Sequence, residues 1–336
     1  MLGRGAYNCH MDEKTPDNCA GARTEARAGH AARDTHGAHD ARGTKDMAPG
    51  LARMMGELNS AFYQEQAASF SATRHGAWPG WQRCLDALSA CGALPSPSRE
   101  ARLSVLDLAC GNLRFASFLS SELPKVQLDY HAVDNCADLI AGVSLPPRVD
   151  VTFHEVDVVG SLLAESMRSA SLTDGPSAAA LTDAGPAGCV HPPFDVANEC
   201  DLAVSFGFLH HVPTYDARAM LLRSLVARTR RGGTCCVSLW RFMSDPTLAA
   251  RALATTADAS RELEIDPADL GEGDYLLGWQ GLPHVFRYCH SFGEGEVDAL
   301  AQAVSNDAEL IARFESDGRS GVLNTYLVLR RRSSGE

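Results

Sequence analysis

No stretch of this chain approaches the ~20 consecutive apolar residues that a membrane-spanning helix needs. The N-terminus has no apolar h-region, so no signal peptide is expected. Together these absences point to a cytoplasmic protein. The 11 cysteines include no CxxC pair, which removes the common zinc-ribbon and thioredoxin-type spacings. Apart from the adjacent Cys235 and Cys236 they are scattered, and Cys110, Cys200 and Cys235 sit in apolar runs where cysteine acts as a small hydrophobe. Reduced core thiols are expected. Positive charge is also scarce, with 30 Lys and Arg against 42 Asp and Glu and a formal net charge of −12. Affinity for phosphates comes largely from basic side chains, so a general RNA-coating protein is disfavoured, although a local basic face is enough for binding. Arg218, Arg223, Arg228, Arg230 and Arg231 form one basic cluster and Arg330 to Arg332 another. A solvated helix face and a C-terminal tail account for these equally well.

What is present is a chain of 336 residues, 45% apolar, sufficient for one large α/β domain with an insertion or for two modest domains. Residues 1–50 are rich in Ala, Gly, Arg, Asp and His without helical or strand period, and read as a disordered tail. Its His10, His30, His36 and His39 read as part of a solvated low-complexity segment. Residues 51–336 then form the folded domain. Leu51, Met54, Met55 and Leu58 fit one helix face, and Trp78-Pro-Gly-Trp81 opens a second helix with Pro79 in its first turn.

Strand and helix signals alternate from there, which argues for a mainly parallel sheet with crossover helices. Strands are expected at 104–108, 128–133, 149–156, 201–206 and 234–240, with further strands near 308–314 and 323–330. Helices are expected at 113–122, 136–142, 214–229 and 294–304. Residues 160–193 are rich in Ser, Ala, Gly and Pro and read as a flexible insertion. Residues 242–290 read as an irregular cap over the substrate region.

The strongest local signal is Val105-Leu-Asp-Leu-Ala-Cys-Gly-Asn-Leu-Arg114, a buried strand ending in an acid, then a tight turn, then a helix. The turn brings backbone close to a ligand, and the helix N-terminus offers free N–H groups. Asp107 lies at the carboxyl end of its strand, where open α/β sheets bind ligands. Asp134 ends the next strand, where a carboxylate can accept both ribose hydroxyls. Nicotinamide enzymes want GxGxxG for their pyrophosphate, and only Gly111 of that pattern is present. S-adenosylmethionine (SAM) carries a sulfonium and an amino group instead, so it favours acids at strand ends, and Asp107 and Asp157, at the end of the third strand, fit that demand. The run resembles the class I SAM-dependent methyltransferase signature, with Ala109 in place of the first glycine and Leu113 in place of the third. Because a left-handed alanine costs roughly 1–2 kcal/mol, the turn is expected to keep φ negative at Ala109. That resemblance implies a Rossmann-like class I methyltransferase fold: a mainly parallel seven-stranded sheet with helices on both faces plus a cap insertion.

A second block, Asp201-Leu-Ala-Val-Ser-Phe-Gly-Phe-Leu-His-His-Val-Pro213, is a strand followed by a loop over the same carboxyl edge. It resembles the fourth methyltransferase motif, which puts Ser205 and Phe206 beside the cofactor. His210 and His211 are adjacent, so one is expected to face the site and the other to support the loop. No further ligands stand at helical or hairpin spacing, so no metal site is expected.

The flanks narrow the acceptor. Phe70-Ser-Ala-Thr-Arg-His-Gly-Ala-Trp-Pro79 precedes the first strand, and Asp274-Tyr-Leu-Leu-Gly-Trp279 and Val285-Phe-Arg-Tyr-Cys-His-Ser-Phe-Gly-Glu-Gly-Glu-Val297 lie near the end. Together they resemble the tRNA wobble-uridine carboxymethyl methyltransferase family over about Phe62 to Leu329. The resemblance implies esterification of the carboxylate of 5-carboxymethyl-uridine in the anticodon loop, and a small zinc-binding activator subunit as partner. A carboxylate is already ionised at neutral pH, so no strong base is required. Arg74 and Arg287 could grip it by charge-assisted bonds, with His211 or His290 orienting it. Trp78 and Trp81 either stack on a base or pack in the core. Three other readings compete: a small-molecule methyltransferase, a non-catalytic SAM-fold scaffold, and a nicotinamide dehydrogenase, which the missing glycines disfavour.

Overall fold

The β-branched and aliphatic residues Val105, Leu106 and Leu108 leave no polar face on the first strand, as a strand covered by helices on both sides requires. In the computed structural model, which describes residues 46–74, 76–96, 98, 100–173 and 199–333, that strand is β1 (Arg102–Leu108). It pairs in parallel with β2 (Gln127–Asp134) on one side and β4 (Cys200–Ser205) on the other. β3 (Val149–Glu155) extends the sheet beyond β2, and β5 (Thr229–Trp240) lies beyond β4, both parallel. β8 (Ala308–Ser316) and β9 (Asn324–Arg331) complete seven strands in the order β3-β2-β1-β4-β5-β9-β8, with β9 antiparallel to both of its neighbours. The expected mainly parallel, seven-stranded Rossmann-like sheet is therefore present.

Alternation along each strand divides the core in two. Leu106 and Leu108 face α1 (Pro49–Ala72), α4 (Val158–Thr173), α5 (Tyr215–Arg228) and α7 (Glu294–Ala303). Val105, with Tyr130 and Val204, faces α2 (Pro79–Ala90) and α3 (Arg114–Glu122). α2 begins with Pro79 in its first turn, where the missing N–H costs nothing. No helix among the described residues is long and apolar enough to cross a membrane. Every described cysteine is a free thiol.

Four expectations change. The segment 160–193 does not begin as a flexible insertion: through residue 173 it belongs to α4, because Val158, Val159, Leu162 and Leu163 form one apolar stripe buried against the core; the rest of that segment lies outside the described residues. The cap at 242–290 is regular. It contains α6 (Pro246–Glu262), whose N-terminus is capped by the Asp245 carboxylate accepting from Thr247 and Leu248 N–H, and a hairpin of β6 (Asp274–Gly278) with β7 (Phe286–His290). The expected helix at 136–142 is only a single 3₁₀ turn, Ala137–Leu139. The boundary at residue 50 falls inside packed structure: Met47 is 3% exposed in the core, and the Asp46 carboxylate accepts from Tyr215 N–H. Of the expected tail, residues 1–45 lie outside the described residues.

Met47→Ala should lower the unfolding free energy by about 2–4 kcal/mol, as truncation of a buried methionine does. Chemical denaturation followed by circular dichroism measures it, and a midpoint equal to that of the unmodified protein would move Met47 out of the core.

Candidate functional site

The carboxyl ends of β1, β2, β4 and β5 open into one cleft of about 1200 Å³, its mouth included, closed on the far side by α1 and β7. Asp107 and Asp134 line one part of it, with Ala109 and Gly111 from the turn between β1 and α3. That turn departs from expectation. Ala109 takes φ 62°, Gly111 52° and Leu113 56°, so both positions without glycine are left-handed nonetheless. The strain, roughly 1–2 kcal/mol per residue, is held in place from several directions. Cys110 N–H donates to the Val133 carbonyl (3.0 Å), Leu113 N–H donates to the Cys110 carbonyl (3.1 Å), and the Leu113 side chain is buried in the core. In this shape Gly111 N–H points at Asp134 Oδ2 (2.9 Å), and the space where a Cβ on Gly111 would stand is empty.

Asp134 also accepts from Cys136 N–H at Oδ1 (3.1 Å). Burial raises its pKa, and the backbone hydrogen bonds oppose that rise. Asp107 accepts from the Tyr130 hydroxyl, and burial pushes its pKa up to about 7 against the pull of that bond. Each carboxylate keeps lone pairs beyond those the protein occupies.

Arg74 and Arg287 line another part of the same cleft. Arg287 is 3% exposed, its Nε has no hydrogen-bond partner, and no ion pair among the described residues involves it. An interior guanidinium without an anion is costly. Phe206 lines the cleft edge-on to Phe115 at 4.9 Å. Trp78 and Trp81 stack on one another at 5.4 Å and both line the cleft, and Trp81 is also packed among Phe115, Phe118 and Phe206.

Both histidines line the cleft, contrary to the expectation of one inside and one outside, with ring centres 4.0 Å apart. The hydrogen bonds assign the tautomer of His211. Its Nδ1–H donates to the Tyr288 carbonyl (3.0 Å), and Nε2 accepts from the Tyr63 hydroxyl (2.7 Å). Burial first, then Arg287, depress its pKa to about 3, so the ring is neutral. With both nitrogens committed, His211 does not orient an acceptor directly; it holds Tyr63. His210 is the member with an open nitrogen, since its Nδ1 has no partner, and burial lowers its pKa well below the usual range. Ligand atoms of His210, His211 and Cys289 lie within 4.8 Å of one another. Yet His211 is fully hydrogen-bonded, burial pushes the Cys289 thiol up to about 12, and Arg287 stands alongside, which suits a hydrogen-bonded wall better than a cation site.

Three expected residues are elsewhere. Asp157 is the N-terminal cap of α4, where its Oδ1 accepts from Gly160 N–H (2.9 Å), and it does not line the cleft. Ser205 is fully buried and donates to the Leu108 carbonyl (3.2 Å), tying β4 to β1. His290 turns away into a buried ionic cluster: Nδ1 faces Asp274 (2.7 Å), Nε2 faces Glu296 (2.6 Å), and Glu296 pairs with Arg218 (2.7 Å). Sequence reasoning missed Asn59 and Tyr63 on α1. Asn59 brackets Tyr288, its Oδ1 accepting from Tyr288 N–H (2.8 Å) and its Nδ2 donating to Tyr288 O (3.1 Å). A polar Asn59 on the apolar face of Met55 and Phe62 was the available signal.

Asp107 sets a pH dependence. Its folded pKa of about 7 stands above the ordinary 3.8, so the folded state holds the proton longer than the unfolded one. The stability it contributes is fully present below the unfolded value and lost as pH rises through about 7. Binding of a cationic ligand there should tighten over the same rise, as the carboxylate ionises. Calorimetric titration of SAM across this range checks it, and Asp107→Asn should flatten the profile; a wild-type profile already flat would remove Asp107 from the binding site.

No family model matches the chain, and no curated protein matches it. Among solved structures it is similar to a SAM-dependent methyltransferase from Methanosarcina mazei, with 13% identity over 77% of this chain and 99% of that one and a TM-score of 0.46. It is also similar to the 1,6-didemethyltoxoflavin-N1-methyltransferase of Burkholderia thailandensis, solved with 1,6-didemethyltoxoflavin and S-adenosylhomocysteine, at 15% identity over 85% and 91% with a TM-score of 0.44. A SAM-dependent methyltransferase from Anabaena variabilis matches at 14% identity over 86% and 98%, TM-score 0.44. Likeness of this degree leaves the cofactor and the acceptor of this chain to be argued from its own residues.

Proposed function

We propose that the chain is a SAM-dependent methyltransferase whose acceptor is a carboxylate. The observation that carries this reading is the division of charge within one cleft: Asp107 and Asp134 in one part, Arg287 buried without an anion in another. The acidic part suits a ligand bearing a sulfonium, an ammonium and ribose hydroxyls. The empty space beside Gly111 leaves room for such a ligand against the turn. When bound, SAM supplies an electrophilic methyl group. Arg287 and Arg74 then hold the acceptor carboxylate, whose oxygen is already ionised and needs no base. The aromatic walls exclude water and fix the approach, which is most of what a direct transfer between two bound groups requires. Tyr63, fixed by His211, and the open nitrogen of His210 add polar contacts on the acceptor side.

The finer proposal is that the carboxylate belongs to 5-carboxymethyl-uridine at the tRNA wobble position. The segments Phe70 to Pro79 and Val285 to Val297 support it, with a small zinc-binding activator subunit as partner and the cytoplasm as the setting. The net charge of −12 favours a second reading, a small carboxylic acid as acceptor.

Labelled methyl transfer from SAM into a fractionated extract of the source cells, with the activator present, separates these. Label in tRNA released by mild alkali, as an ester is, is the expected result. Label confined to small molecules selects the second reading, and label in neither removes the enzymatic one. Arg287→Ala should reduce methyl transfer by about 10²-fold or more, the cost of an unpaired charge contact, with SAM affinity unchanged. Parallel loss of SAM affinity would place Arg287 in the cofactor site or the fold instead.

A further inference from the structure

A buried N–H without a partner is costly to a folded chain, so where such groups collect around a cleft they mark a surface for something else to bond. Four residues that line this cleft carry a buried ring or guanidinium nitrogen with no hydrogen-bond partner: Trp81 Nε1, His210 Nδ1, Trp240 Nε1 and Arg287 Nε. Arg287 is engaged by the acceptor carboxylate in the reading above. Trp240 has no part in that reading, yet its ring meets the His210 ring at 4.9 Å with the planes at 61°.

Trp240 is the last residue of β5, and the strand order puts that end on the opposite side of β4 from Asp107 and Asp134. His210 follows β4 itself. The backbone of Trp240 is pinned twice. It pairs with Asn324 of β9, which also lines the cleft, and its carbonyl accepts from Phe292 N–H (2.9 Å). The ring packs against Phe242 at 4.6 Å and is 9% exposed. The core therefore fixes the indole where it stands, with no freedom to turn its N–H toward water.

These two nitrogens differ in kind from Arg287. An indole N–H can only donate, whereas a neutral imidazole donates from one nitrogen and accepts at the other. Burial first, then His211 and Arg287, lower the His210 pKa well below its usual range, so that ring is uncharged. A carboxylate is met best by a charged donor, which assigns it to Arg287 and leaves the neutral pair for an uncharged polar group.

We propose that Trp240, with His210 beside it, is a specificity-determining residue of the acceptor site: its Nε1–H donates to an uncharged carbonyl oxygen that the acceptor carries near its carboxylate arm. The acceptor class is then a carboxylic acid on a carbonyl- or amide-bearing framework, and a plain aliphatic or aromatic acid is rejected. This rests on the carboxylate-methylating reading above and narrows it.

The probes are uracil-5-acetate and phenylacetate, two rings of equal size with the same carboxymethyl arm, of which only the first bears carbonyl oxygens. Each is titrated into isotope-labelled protein loaded with S-adenosylhomocysteine, and the Trp240 indole N–H resonance, assigned through its contact with the His210 ring, is followed by NMR. Uracil-5-acetate should shift that resonance and bind at least roughly tenfold more tightly than phenylacetate, because a site built around a hydrogen bond rejects the analogue that lacks it. Trp240→Phe keeps a ring against His210 and Phe242 but removes the donor, and should bring the two affinities within about twofold of each other. A Trp240 resonance unmoved by uracil-5-acetate, or a preference that survives in Trp240→Phe, would overturn the proposal. The shift is read in the wild type, so a variant that fails to fold leaves the question decidable. Arg287→Ala tests the underlying reading separately. Weakened binding of both probes supports it, while unchanged affinities with the Trp240 shift intact would remove the carboxylate from the acceptor and leave Trp240 as donor to its carbonyl.

Discussion

Burying a guanidinium without an anion is the constraint around which much of this molecule is arranged. Arg287 sits on β7, and β7 is pinned from both sides. On one side Asn59 of α1 brackets the Tyr288 backbone, and His211 donates to the same carbonyl. On the other, His290 and the Tyr288 hydroxyl both bond to Asp274, while Glu296 joins His290 to Arg218. The two carboxylates bonded to His290, Asp274 and Glu296, are thereby engaged away from Arg287. Burial raises the pKa of Asp274 and Glu296, but the hydrogen bonds and positive charge around them outweigh it and hold both lower than usual. Their anionic form is thus retained inside, as a compensated cluster allows.

The opposite end of the cleft follows from the sheet. Parallel strands place their carboxyl ends on one edge, so Asp107 and Asp134, one from each of two adjacent strands, converge there without any special device. The turn between β1 and α3 is the exception to regularity. Two non-glycine residues remain left-handed because a core leucine, a backbone bond to β2 and the Gly111–Asp134 contact each require that shape. Such over-determined strain is the usual condition for a backbone outlier to persist beside a ligand site.

Much of this was open to reading. The strand-end acids, the single remaining glycine and the alternation of strands with helices are local features with local causes, so β1, β2, β4 and β5 stand where composition suggests. The regular cap was harder, since its hairpin is stabilised by contacts with α1 and α6 that are distant in sequence. Some misplacements had a legible reason. Successive strand residues point to opposite faces, so Arg287 and His290, three apart on β7, cannot share one cleft, and of the neighbours Ser205 and Phe206 only one can line it. Asp157 precedes an apolar helix stripe and caps it, which its position before Val158 already allowed.

The sequence by itself determined the sheet and the acids at its strand ends, because period and strand ends are properties of neighbouring residues. Tertiary structure alone decided that His211 is braced by Tyr63 while His210 Nδ1 has no partner, and that His290 belongs to an ionic cluster. Those outcomes depend on which hydrogen bonds and ring faces are nearest once distant segments meet, and no local pattern encodes that competition.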